Sequence, residues 1–188
     1  MALTPLILAF AGSARRESLN KKLLAVLVQE AREAGGEVTL VDLNDFPFPL
    51  YHGDLEDAEG LPANVVKLVE LVGRHHALLI ASPEYNSLIT PLLKNTIDWC
   101  TRAEPDPFPG KVAAVVSASP GIFGGVRSAQ VARQLLLHLG CQVVPAQCTL
   151  PHAHEAFDAT GRLKDPHAQK AAHKVAADLV RTTARLIA

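Results

Sequence analysis

Leu6-Ile7-Leu8-Ala9-Phe10-Ala11-Gly12-Ser13-Ala14-Arg15-Arg16-Glu17-Ser18-Leu19-Asn20 is the stretch on which the reading of the chain turns. A short apolar run ends in a small, hydroxyl-rich, basic turn. Leu19, Leu23, Leu24, Val26, Leu27 and Ala31 then recur at helical spacing until Gly35-Gly36 stops them. A strand therefore feeds a helix with Ser18 at its N-cap, and backbone N–H groups, hydroxyls and a guanidinium converge where the two meet, a place to hold a phosphate. The turn has neither the Lys of a Walker loop nor the G-x-G-x-x-G of a dinucleotide fold, which favours a ligand smaller than a nucleoside triphosphate.

Outward from this stretch the strand-helix alternation repeats. Glu37 to Leu43 reads as a second strand, Val65 to Val72 as a helix, and Ala77 to Ala81 as a central strand apolar on both faces. Pro91, in a helix first turn, opens a helix to about Cys100. Val112 to Ser117 is a fourth strand, Val126 to Leu139 a helix ended by Gly140, Cys141 to Leu150 a fifth strand, and about Pro166 to Ile187 a closing helix. Phe46 to Pro62 reads as a long irregular surface connection whose Asp54, Glu56, Asp57 and Glu59 form a solvated acidic face. Five alternations predict an α/β fold, a doubly wound five-stranded parallel sheet with helices on both faces, and its ligand lies beyond the carboxyl ends of the strands.

The 188 residues, expected to form one domain over 1–188, are 48% apolar and 20% charged with a formal net charge of -1. That balance describes a soluble globular protein without a general attraction to polyanions, so nucleic acid is not an expected partner. No run is long enough to span a bilayer, and no membrane partner is expected. Leu3 to Ala11 resembles the apolar part of a secretory leader, but no Lys or Arg precedes it and the same residues make a buried first strand. Cys100, Cys141 and Cys148 are odd in number and lack metal-type spacing, so they read as reduced buried thiols of a cytoplasmic protein. His75-His76 reads as a helix-end cap or surface pair, and His152-Ala153-His154-Glu155 lacks a further ligand by spacing, so no metal is expected. Trp99 is either core or a dimer contact.

The topology places the turns after the first, third and fourth strands on one edge, and those are the chemically unusual ones. Ser13, Arg15, Ser18 and Asn20 can neutralise and hydrogen-bond a phosphomonoester, although an ordinary hydroxyl-capped turn would carry similar residues. Pro83-Glu84-Tyr85-Asn86 forms a rigid turn able to offer N–H groups and an aromatic face to a planar ring, or only a structural turn. The third turn, with Gly121, Gly124 and Gly125, lets the backbone approach a flat ligand closely, or forms a flexible loop.

Three ordered motifs, G-S-x-R-x-x-S-x-N from Gly12 to Asn20, P-E-Y-N…T-P-L-L-K-N-x-I-D-W from Pro83 to Trp99, and S-x-S-P-G-x-x-G-G-x-R from Ser117 to Arg127, resemble the NADPH-dependent FMN reductase family of quinone, azo-dye and chromate reductases. The resemblance runs from the first strand to about Gly161 and implies a flavodoxin-like fold. It implies that Ser13, Arg15, Ser18 and Asn20 form the FMN phosphate loop, that Pro83, Glu84, Tyr85 and Asn86 border the isoalloxazine, and that Ser117, Ser119 and Gly121 line the ring's other side. Ser87-Leu88 departs from relatives, which often have Gly or Tyr followed by Ser.

The implied activity is hydride transfer from NADPH or NADH through bound FMN to a small-molecule electron acceptor, by a homodimer or homotetramer with no catalytic side chain required. Two rivals are an FMN-binding electron carrier without NAD(P)H reactivity, and a flavin-free interaction module. Carriers of that kind are usually strongly acidic, unlike this chain.

Overall fold

The computed structural model describes residues 3–188. Its elements run β1 (Leu6–Ala11), α1 (Leu19–Glu33), β2 (Glu37–Leu40), α2 (Gly53–Glu59), α3 (Ala63–Arg74), β3 (Ala77–Ala81), α4 (Pro91–Cys100), β4 (Val112–Ala118), α5 (Val126–His138), β5 (Gln142–Val143), β6 (Cys148–Leu150) and α6 (Pro166–Leu186). All strand pairs are parallel, in the order β2-β1-β3-β4-β5, with β6 also on β4. This is the flavodoxin-like order, which reverses direction between β1 and β3 and leaves a crevice beyond their carboxyl ends.

Alternation along the central strands sends successive side chains to opposite faces and so makes two cores. Ile7, Ala9, Leu79 and Val116 pack with Leu23 and Leu27 of α1 and Val175 and Leu179 of α6. Leu8, Phe10, Ile80 and Val115 pack on the other face with Leu68 of α3, Leu93 and Ile97 of α4 and Leu136 of α5. Strands buried on both faces explain why Ala77–Ala81 is apolar without alternation.

Three boundaries differ from the sequence reading. The second strand stops at Leu40, because Asp42 accepts from Asn44 N–H at 3.0 Å and caps a single 3-10 turn over Leu43–Asp45. The expected irregular connection contains α2, which buries no residue and carries no local apolar signal. The fifth strand is two pieces: β5 pairs with the start of β4, and β6 with its end. Pro145 lies between them and has no N–H to offer the ladder.

Trp99 is core. It is fully buried, donates Nε1–H to Pro49 O at 2.8 Å and meets Tyr51 edge-on at 5.1 Å between centroids. Asn95 adds bonds to Tyr51 N–H and Pro49 O, so α4 anchors the connection that a surface-loop reading left free. His75 closes α3 as expected of a helix-end residue, yet it is no surface residue: its ring meets Leu71 O at 2.6 Å and Thr39 Oγ1 at 2.8 Å. Among the described residues, no helix is long and apolar enough to cross a membrane.

Candidate functional site

The turn after β1 is set by close approach. A Cβ on Gly12 would lie 2.7 Å from Leu93 Cβ, so only glycine lets β1 pass the start of α4. Thr90 donates to Gly12 O at 2.7 Å while its Oγ1 caps α4 by accepting Leu93 N–H at 3.1 Å. One hydroxyl thus ties the turn to the next βα unit. Ser13 is buried and accepts from Arg15 N–H at 3.3 Å, and Ser18 caps α1 by accepting Lys21 N–H. The Arg15 side chain stands in solvent at the lip. Asn20 is occupied otherwise: its amide donates to Ala118 O at 2.8 Å and accepts Ala118 N–H at 3.0 Å, which fixes α1 to the end of β4.

The second turn is clamped to α5. Glu84 accepts from Arg127 N–H at 3.0 Å and Ser128 N–H at 3.2 Å, and Arg127 Nη1 lies 3.4 Å from its other oxygen. The carboxylate therefore caps a helix whose own N-cap, Gly125, has no side chain. Buried Ser128 donates to Pro83 O at 2.8 Å and meets Ser82 Oγ at 2.6 Å. Tyr85 and Leu88 exchange two backbone bonds of 3.0 Å across Asn86 and Ser87, whose φ values are 51° and 69°. These angles identify the left-handed hairpin turn that favours Asn then Gly, so Ser87 takes a backbone conformation that glycine enters more freely.

The third turn is held by Ser119, whose N–H reaches Leu150 O and whose carbonyl accepts Ala153 N–H, both at 3.0 Å. Gly121 is open: an added Cβ would meet only Ser119 Oγ, at 3.6 Å. Ser117 Oγ is buried without a hydrogen-bond partner, and a Cβ on Gly125 would fall 1.9 Å from it. Exposed Ile122 and Phe123 crown the turn, with Arg127 stacked 4.6 Å over the Phe123 ring.

All but three of the predicted residues line one cavity of about 210 Å³: Ser13, Arg15, Ser18 and Asn20 from the first turn, Pro83, Glu84 and Tyr85 from the second, and Ser119 from the third. Asn86, Ser117 and Gly121 lie outside that lining. A larger groove of about 640 Å³ between α1 and the turn before α6 is bordered by Glu30 and Glu33 with Arg162 as its one cation, a net negative lining that suits a phosphate poorly. Sequence reading missed Thr90 and Ser128. A Thr-Pro pair is a recognisable helix start, so Thr90 was within reach, whereas nothing local marks Ser128.

Burial pushes the Cys100 thiol up to about 12 and those of Cys141 and Cys148 up to about 11, so they are protonated and unreactive near neutrality. Among the described residues no group of three or more His, Cys, Asp or Glu side chains is placed to hold a metal, the His152–Glu155 segment included.

The model of NADPH-dependent FMN reductases matches residues 5–155, a span that holds all three turns. The chain belongs to the NADPH-dependent FMN reductase family. It is 36% identical over 165 residues to an NAD(P)H-dependent FMN reductase of Pseudomonas aeruginosa, covering 87% of each chain. With a quinone reductase of Escherichia coli K12 it shares 33% identity over 138 residues, covering 73% of this chain and 72% of the relative. The solved FerB of Paracoccus denitrificans, a flavoenzyme NAD(P)H:(acceptor) oxidoreductase, superposes with a TM-score of 0.81 at 28% identity over 97% of this chain and 98% of FerB. As an FMN reductase family member the chain is an oxidoreductase of flavodoxin-like fold, with FMN as cofactor and NAD(P)H as co-substrate.

Proposed function

We propose that residues 1–188 act as one flavodoxin-like domain that passes hydride from NADPH or NADH through bound FMN to a small-molecule acceptor such as a quinone, azo compound, metal oxyanion or free flavin. The observation that carries this reading is the convergence of three turns on one cavity at the carboxyl ends of the strands. One end is basic and hydroxylated, and the other is bordered by Tyr85, Ala118, Ser119 and Pro120.

The residues present fit FMN. Ser13, Ser18 and Arg15 offer two hydroxyls and a guanidinium at the strand-to-helix junction, suited to one phosphate. Pro83, Tyr85 and Asn86 supply the rigid second turn, and Ser117, Ser119 and Gly121 the open third one, where only the Ser119 hydroxyl lies near the Gly121 backbone. The orphaned Ser117 hydroxyl beneath that turn is a polar group in want of a partner. Glu84 and Asn20 line the same cavity while their polar atoms also bond the backbone of α5 and β4 and so brace the turns at their spacing.

Bound FMN supplies the hydride acceptance and electron transfer that side chains cannot. The chain holds the phosphate at Arg15, fixes the ring edge between two braced turns and keeps one approach open to both substrates. Donor and acceptor then use the same opening in turn, giving ping-pong kinetics. Exposed Tyr85, Leu88, Ile122 and Phe123 around that opening support a homodimer, or a homotetramer built from it, that covers them. A cytoplasmic location completes the proposal, consistent with three free cysteines.

The test is direct. The purified protein is yellow or takes up FMN, and NADPH bleaches the bound flavin without any partner protein. A colourless protein that does not bind FMN overturns the reading; a flavin left oxidised by both nicotinamides makes the chain an electron carrier.

A further inference from the structure

A second cavity, of about 420 Å³, opens where β6 ends, and the third turn divides it from the candidate flavin site. The dividing wall is thin. Ser119 lines the flavin cavity, and its N–H and carbonyl bond Leu150 O and Ala153 N–H, both at 3.0 Å, while Leu150 lines the second cavity. A Cβ on Gly124 would stand 2.8 Å from Pro151 N, so glycine lets the turn lie directly on the end of β6.

The volume suits a small-molecule site, and the lining is mixed. Leu150, Pro151 and Ala168 are apolar, and Lys164 is the one ammonium, with no carboxylate partner among the described residues. Two carboxylates join it: Glu155, whose Oε1 meets His154 Nε2 at 3.0 Å, and Asp165, whose Oδ1 accepts His167 N–H at 2.9 Å. Each has a second oxygen without a protein partner among the described residues. With His152 neutral the lining is therefore net negative and offers two free acceptors.

We propose that this cavity takes the adenosine end of the nicotinamide cofactor and makes the protein prefer NADH to NADPH, an inference that rests on the reductase reading above. A dinucleotide with its nicotinamide at the flavin opening has only the third turn to cross before its adenosine enters. Adenine has apolar faces to lay on Leu150, Pro151 and Ala168. The 2′,3′-diol of NADH brings two O–H donors, which the free oxygens of Glu155 and Asp165 accept. NADPH carries an anionic phosphate at the 2′ position, which has no donor for these carboxylates and is repelled by both. Lys164 meets the diphosphate that the two cofactors share, so it favours neither.

FMN-loaded protein is titrated calorimetrically with ADP-ribose and with 2′-phospho-ADP-ribose, neither of which reduces flavin, and flavin bleaching by NADH and by NADPH is followed by stopped flow. ADP-ribose is expected to bind about five-fold tighter than its 2′-phosphate, and NADH to show the same advantage in the concentration needed for half-maximal bleaching. Glu155→Gln combined with Asp165→Asn removes both charges and keeps a side chain able to cap α6, and it is expected to bring both ratios close to one. Glu155→Gln alone, at an exposed position outside any helix, is expected to lower each ratio by about half. Equal or tighter binding of the 2′-phosphate by the wild type overturns the inference, as do ratios that the variants leave unchanged. Bleaching by neither nicotinamide overturns the reductase reading and this inference with it, whereas bleaching by NADPH at lower concentration than NADH overturns this inference alone.

Discussion

Arg15 stands at the lip of the candidate phosphate turn, above hydroxyls already fixed by their own backbone bonds. Replacing it with Ala should weaken FMN binding by about 1.5–3 kcal/mol, the range for one charge-assisted hydrogen bond. Fluorescence titration of FMN measures this, and an unchanged affinity would place the phosphate elsewhere. Ser87 bears a different load: at φ 69° it occupies backbone space that glycine enters freely. Relief of the left-handed strain less glycine's greater loss of chain entropy should leave Ser87→Gly more stable by about 0.5–1 kcal/mol, read as a higher urea midpoint. A lower midpoint would mean that the hydroxyl holds the turn. Gly121 is the contrasting case, with free space around its Cα and no left-handed backbone. Gly121→Val should unfold at the wild-type temperature yet fail to load flavin; a yellow variant refutes the assignment of the ring to this turn.

At the scale of elements, the site depends on contacts that bridge successive βα units. Glu84 reaches from the turn after β3 to the first turn of α5, and Asn20 from α1 to the last residue of β4. Glu84→Ala removes a charged cap and should cost about 1–2 kcal/mol of stability, seen as a lower thermal midpoint, with weaker FMN binding as the Tyr85 turn loosens. A thermal midpoint equal to wild type would show that the cap is redundant. Lys21 and Asp42 pin α1 to the segment after β2 at 2.5 Å. Burial raises the Asp42 carboxyl, but Lys21 and the Asn44 N–H outweigh it and leave the folded value lowered. The stabilisation is therefore present above the ordinary carboxylate range and is lost as the pH falls through the folded value. Asp42→Asn should flatten the acid limb of the stability profile, and an unaltered limb excludes this pair as a contributor.

For the whole molecule, a ligand that binds only the folded chain stabilises it by mass action. FMN at 100 times its dissociation constant should add about 2.7 kcal/mol. For a chain of this size that is a rise in thermal midpoint of about 5–10 °C, measurable by calorimetry. Riboflavin, which lacks the phosphate, should give a smaller rise at equal concentration. Equal rises would remove the phosphate turn from the site.

Much of this architecture was legible along the chain. The apolar runs at Ile7–Ala11 and Ala77–Ala81, the helical spacing from Leu19 and the stop at Gly35-Gly36 are local signals, and each fixes an element whatever it packs against. From their alternation came the parallel sheet, and from the sheet the common edge of the three turns. Other features exist only through distant partners. Helix α2 is held by long-range bonds such as that from Arg102 to Glu56, and Trp99 became core because the chain near Pro49 folds over it. The same holds for Glu84 and Asn20. Their sequence motifs suited a ligand, but backbone N–H and C=O groups more than forty residues away claim their polar atoms. Sequence determined which residues gather at the carboxyl edge, because periodicity and turn chemistry are local. Only the tertiary structure decided which of them face the cavity and which hold it open, because a hydrogen bond is awarded by proximity in space.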